Sequence, residues 1–261
     1  MASGLAVTRL DAMTITWEKP ALRPVGLGRQ VGIVTAAVAA YFGVRGATEA
    51  ATDQALANAA KVVDFEKSVG LFHESWLQST LAGSPAVATF FNWIYIYGHW
   101  PVIVATLIWL ARTNPAIYYR TRNAMLLSGG IGLVVFMLFP LAPPRLAELG
   151  LVDTVTQSDG AYRVLQPTMF TNQYAAMPSL HVGWDLLIGL AILAAARGPL
   201  LRAFGAAMPV LMVAAVVLTA NHYIVDAIAG AALTTTCWLV LRARERRSPR
   251  GYAGWDGLAL R

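Results

Sequence analysis

What most limits the folding options of this chain is a succession of six apolar runs, at about residues 30–48, 86–111, 123–141, 178–196, 203–220 and 222–241. A helix rises about 1.5 Å per residue, so runs of this length cover roughly the 30 Å hydrocarbon core of a bilayer. Composition agrees: 57% of the residues are hydrophobic and 13% charged, where an ordinary soluble domain is about 25% charged. The pattern predicts an all-α protein, a polytopic membrane helix bundle with six transmembrane helices within residues 30–241, between a tail at 1–29 and a basic tail at 242–261. Pro101 is expected to kink the second helix. Arg45 has to snorkel from the first.

Residues 50–78 read differently. Leu56, Ala59, Ala60, Val63, Phe65, Val69, Leu71 and Phe72 are interleaved with Lys61, Asp64, Glu66 and Lys67. This predicts an amphipathic helix that lies at the interface or caps the bundle. Charges between the runs set the orientation. Arg112, Arg120, Arg122, Arg197 and Arg202 share one side with the tail arginines Arg242, Arg244, Arg246, Arg247 and Arg250. On the other side Glu49, Asp53, Asp64, Glu66 and Glu74 outweigh the bases of their loop. The positive-inside rule then predicts a plasma-membrane protein with both termini cytoplasmic. That asymmetry accounts for the net charge of +6 without a nucleic-acid partner. Cys237, the only cysteine, lies in the last run and has no partner for an internal disulfide. Asp11, Glu18 and Lys19 interrupt the N-terminal stretch, so no cleavable signal peptide is expected.

Ionisable groups within a membrane span are costly, and their default reading is functional. Two sets of them head apolar runs: Ser179 with His181, and His222 with Asp226. Both heads, and Arg145 at the end of the third run, fall on the outer side, so histidines 41 residues apart converge on one interfacial pocket. On a helix, His222 and Asp226 would lie one above the other on one face. The carboxylate then fixes the imidazole tautomer and leaves the other nitrogen basic. That suits a nucleophile, with His181 as the acid that protonates a leaving oxygen. Ser179 and Arg145 suit an anionic group, the arginine through a fork matched to phosphate oxygens. Together they describe phosphoryl transfer through a phosphohistidine, with no metal and no cofactor.

Other residues keep two readings. Asp185 repeats the four-residue spacing after His181; it either keeps that imidazole protonated or contacts a neighbouring helix. Tyr95 and His99 are accessory site residues, or members of an aromatic belt with Trp93 and Trp100. Three rival functions also stand. Two His-x3-Asp pairs could cage a cation in a metal-dependent hydrolase. Ser179 and His222 could form the dyad of an intramembrane protease, although Met177-Pro178-Ser179-Leu180 supplies no glycine for a tight oxyanion site. A transporter is the third, but its polar groups would lie near the midplane rather than at one face.

Pro178-Ser179-Leu180-His181 resembles the P-S-G-H motif of the type-2 phosphatidic acid phosphatase superfamily, and Thr219 to Asp226 resembles the end of its third motif, S-R-x5-H-x3-D. The resemblance covers about residues 50–241. It implies a six-helix membrane enzyme acting on a lipid phosphate or phospholipid head group. His222 would be the nucleophile, Asp226 its orienter, His181 the acid and Ser179 a phosphate ligand. The stretch Phe139-Pro140-Leu141-Ala142-Pro143-Pro144-Arg145, the Met-Pro-Ser-Leu-His form and Asn92-x-x-Tyr95-x-x-x-His99 are similar to one branch of it. That branch includes fungal inositol phosphorylceramide synthase and its bacterial relatives, which implies a polyol acceptor such as inositol. Two cations of the pattern are absent: Leu138 stands where the first motif has Lys, and Val216 where the third has Arg. A phosphomonoester is close to a dianion and a diester carries one charge, so fewer fixed cations suit the diester. Arg163 and protonated His99 are candidates to supply the missing charge, and Asn221, beside the nucleophile, is a further accessory candidate.

Overall fold

Three helix starts are set by short polar caps, two of them followed by proline. Ser84 accepts a hydrogen bond from the Val87 N–H with Pro85 at the first helical position, and Asn114 does the same for Ile117 ahead of Pro115. The computed structural model describes residues 26–48, 51–80, 84–155 and 172–247. Nine helices are named among them: α1 Leu27–Thr48, α2 Thr52–Ser68, α3 Glu74–Ser79, α4 Pro85–Tyr97, α5 Trp100–Thr113, α6 Pro115–Leu138, α7 Leu180–Ala195, α8 Pro199–Leu218 and α9 Ile224–Arg247. The described residues contain no named strand; Leu141 and Ala175 form one isolated bridge.

Three helices, α6, α8 and α9, are long and apolar enough to cross a membrane, and α4 with α5 makes a fourth span bent by 42°. α7 is apolar but has 16 residues, and α1, though 22 residues long, is not among the qualifying helices. The expected six spans are therefore three or four by length and composition. Apolar side chains such as Val104, Val134, Val210 and Ile228 face outward on these helices, as lipid contact requires and as a soluble surface of this extent would not allow. This is a membrane protein.

The break in the second span falls at Gly98–His99, ahead of Pro101. A proline ring collides with the carbonyl four residues back, here that of Tyr97, which is where α4 ends. Gly98 fills the turn because a Cβ there would stand 2.3 Å from the Ile94 carbonyl oxygen. α6 begins earlier than expected, so Arg120 and Arg122 lie on its first turns rather than in a loop. Arg120 pairs with Glu245 of α9. α9 in turn carries Arg242 to Arg247 as helix and leaves His222 outside it, in the preceding turn.

α2 buries Ala55, Asn58, Ala59, Val62, Val63 and Glu66, while Leu56, Phe65 and Val69 face outward. It is amphipathic, but two polar residues lie on its packed face. Asn58 donates to the Pro140 carbonyl, and Glu66 reaches the start of α9. Glu66, read only as one of the charges interleaved along an amphipathic helix, is on the packed face.

α7 is the hub, packed against α8, α9, α6 and α5. Its contact with α9 is backbone to backbone. A Cβ at Gly230 would lie 2.1 Å from the Ser179 carbonyl oxygen, and one at Gly183 would lie 2.8 Å from the Gly230 oxygen. The Ser179 N–H donates to the Asp226 carbonyl at 3.0 Å, which locks the head of α7 to the first turn of α9. Gly230→Ala should lower stability by about 1–3 kcal/mol or more through overpacking against backbone. Gly130→Ala on α6, where a Cβ meets nothing within 4 Å, should be neutral or slightly stabilising; thermal unfolding in detergent checks both.

Candidate active site

α8 ends in a tight turn that sets the backbone of His222. The Asn221 N–H donates to the Val216 carbonyl and the Ala220 N–H to the Val217 carbonyl, and Ala220 has φ of 55°. This is a Schellman end with alanine where glycine is usual, a left-handed residue that costs about 1–2 kcal/mol. α9 then starts at Ile224, and the Asp226 carboxylate folds back to accept from the Tyr223 N–H at 3.0 Å. His222 is thus fixed between one helix end and the next helix start.

Its imidazole is oriented twice. Nδ1 lies 2.8 Å from the Ala176 carbonyl oxygen and 3.5 Å from Asp226 Oδ2. A carbonyl only accepts, so Nδ1 carries the proton and Nε2 keeps its lone pair. The closer partner is a main-chain atom that no side-chain motif reveals. Because His222 precedes the helix, the expected stacking of His222 over Asp226 on a helix face is corrected. Asp226 is buried and reaches the ring from the helix start.

The His181 ring centroid stands 5.9 Å from that of His222. Tyr95 stacks on it at 4.6 Å with 22° between planes, and His99 lies at 4.3 Å. His181 Nε2 is buried without a hydrogen-bond partner among the described residues. Tyr95 and His99 are themselves buried; their rings pack on His181 rather than forming an outer belt. Asp185 pairs with His99, Oδ1 to Nδ1 at 3.1 Å, so it contacts a neighbouring helix and not His181.

Ser179 is fully buried and caps α7, its Oγ accepting from the Val182 N–H at 3.4 Å. It makes no hydrogen bond to His222, as a serine-protease dyad would need. Arg145 donates through Nη1 to Asn221 Oδ1 at 2.6 Å and pairs through Nε with Asp153 at 3.3 Å. Asn221 Nδ2 continues the chain of contacts to Thr219. A guanidinium has five N–H donors, so donors remain for an anion. Arg163 lies outside the described residues. Val216, where the resembled motif has Arg, is fully buried with Tyr95 and Val182, and Leu138 is exposed. Among the described residues no group of three or more His, Cys, Asp or Glu side chains is arranged to hold a metal ion.

Two residues that sequence reasoning missed lie against the turn that follows His222. Glu66 and Glu74 are fully buried, and they accept the N–H groups of Val225 at 2.7 Å and Ile224 at 3.0 Å. Burial first, and then the hydrogen bond to Glu74, push the Glu66 carboxyl up to about 8. The one available signal was the heptad-like spacing of Ala55, Ala59, Val62 and Glu66, which puts Glu66 on the small-residue face.

At one end of a helical membrane bundle two histidine rings, a carboxylate and an arginine come together. A sequence model of the PAP2 superfamily matches residues 60–240, and the chain belongs to that superfamily. Its members are generally phosphatases, and an activity of phosphatase or phosphotransferase type follows for this chain. No curated protein and no solved structure matches it.

Asp226→Ala should cost about 1 kcal/mol of stability by freeing the Tyr223 N–H, in the range of other lost caps. Asp226→Asn keeps that acceptor and should melt above Asp226→Ala, while both variants lose turnover; melting and initial rates in detergent separate the two roles.

Proposed function

We propose that this chain is a membrane lipid phosphatase or phosphotransferase that works through a phosphohistidine on His222. The observation that carries it is the 5.9 Å approach of the His181 and His222 rings, with Nδ1 of His222 held by a carbonyl. Nε2 of His222 attacks phosphorus as the bond to the leaving oxygen breaks, and His181 gives that oxygen a proton. Water or a polyol hydroxyl then attacks the phosphohistidine, His181 takes its proton, and His222 is released. Arg145 and Ser179 hold the non-bridging oxygens, with Asn221 steadying the guanidinium. No metal or cofactor takes part in this scheme.

The same reading extends to the membrane. α1 and α7 join the qualifying helices to give six spans, α7 reaching its depth with the turns that precede it. The arginines at the ends of α5, α6 and α9 favour cytoplasmic termini in the plasma membrane, with the histidines on the outer face. Val216 and Leu138, apolar where the family pattern has cations, favour a phosphodiester head group and the branch that resembles inositol phosphorylceramide synthase. A polyol such as inositol is then the acceptor and a phospholipid the donor.

Purified protein incubated with lipid phosphates and phospholipids, with and without inositol, should yield a head-group-transfer product by mass spectrometry that exceeds free phosphate. His222→Ala should lower product formation by about 10³-fold or more. Unchanged turnover in that variant, or loss of native turnover on adding a chelator, would overturn the scheme.

A further inference from the structure

The first turn of α9 exposes three successive N–H groups, and three carboxylates from three elements take them. Asp226 accepts from Tyr223, Glu74 of α3 from Ile224, and Glu66 of α2 from Val225. Each glutamate spends Oε1 on its N–H. Oε2 of Glu66 and Oε2 of Glu74 are buried and have no donor among the described residues. The two carboxyl groups accept adjacent N–H groups, and the nearness of Glu74, through hydrogen bonding and charge, is among the causes that raise the Glu66 carboxyl. Two carboxylates cannot both accept in one bond; a single proton between them satisfies both oxygens and removes one of two buried like charges.

We propose that Glu66 and Glu74 form one acid pair which, sharing a proton, fixes the start of α9 and so positions His222 for attack. The inference rests on the function proposed above. These are positioning residues, since neither reaches the reacting atoms. They act through the backbone of residues 223–225, which lies between them and the imidazole. The groups facing the pair are Asp226, whose charge opposes ionisation, and the buried Tyr223 hydroxyl, itself without a partner. His222 lies beyond Asp226. Glu66 holds its proton below about 8 and releases it above. Full ionisation then puts three negative charges behind the nucleophile and loosens the helix start.

Glu66→Gln discriminates between a positioning acid and plain packing. Its amide oxygen still accepts from Val225 and its NH2 still donates to Glu74, so it mimics the protonated pair at every pH. Turnover in detergent micelles should stay within about threefold of the native chain at neutral pH, and the alkaline fall in kcat near 8 should vanish. Glu66→Ala should lose kcat by about tenfold or more at unchanged KM. Infrared spectra read the proton without any turnover: the native chain should show a protonated-carboxyl C=O band that fades through about 8 and is missing from Glu66→Gln and Glu74→Gln. Amide exchange at residues 223–225 should quicken in Glu66→Ala, again independently of substrate. A native chain without that band, or a Glu66→Gln profile that keeps the native alkaline limb, overturns the proposal. If the native chain turns over no lipid phosphate, the function reading fails alone, and the infrared band and exchange rates still decide the pair: both present supports it, either absent sinks it.

Discussion

The head of α7 lies against the start of α9 with no side chain between them, and the rest of the site depends on this contact. Gly230 admits the Ser179 carbonyl, and the Ser179 N–H bonds to the Asp226 carbonyl. A larger residue at 230 would separate the two segments by about the width of a methyl group. His181 is on one side of that seam and His222 on the other, so the spacing of the imidazoles is inherited from a main-chain contact. Side chains then refine it: Tyr95 and His99 brace one ring, and the Ala176 carbonyl holds the other.

The position of His222 also shows how a polar element is kept rigid at the edge of an apolar bundle. Helix ends leave N–H and C=O groups without partners, and near lipid these are expensive. At α8 the carbonyls of Val216 and Val217 are satisfied by the turn itself. At α9 the N–H groups are taken by acids. The outlay is a cluster of buried carboxylates, tolerated because each meets a backbone donor and because two share a proton.

That His181, His222, Asp226, Ser179 and Arg145 would come together was legible in the sequence, for one reason. They stand out because polar groups at the heads of apolar runs need a cause, and they lie together at one end of the bundle. What was not legible depended on contacts distant in sequence or on main chain. Glu66 sits among Lys61, Asp64 and Lys67 and looks like one more solvated charge, yet its helix turns that face inward. Asp185 has the right spacing to serve His181, but His99 arrives from the break between α4 and α5 and takes it. The carbonyl of Ala176 leaves no mark in a sequence at all. Helix limits were blurred for a similar reason: Arg120 reads as loop until Glu245, 125 residues later, neutralises it inside α6.

The central claim is that a phosphoryl group passes through His222. Turnover quenched in alkali, where phosphohistidine survives, followed by peptide mapping, tests it most directly. A phosphoryl group on His222 at Nε2, absent when His222 is replaced by alanine, is the predicted result. A phosphoryl group on Ser179 or elsewhere, or full turnover with no phosphorylated peptide under any quench, would contradict it.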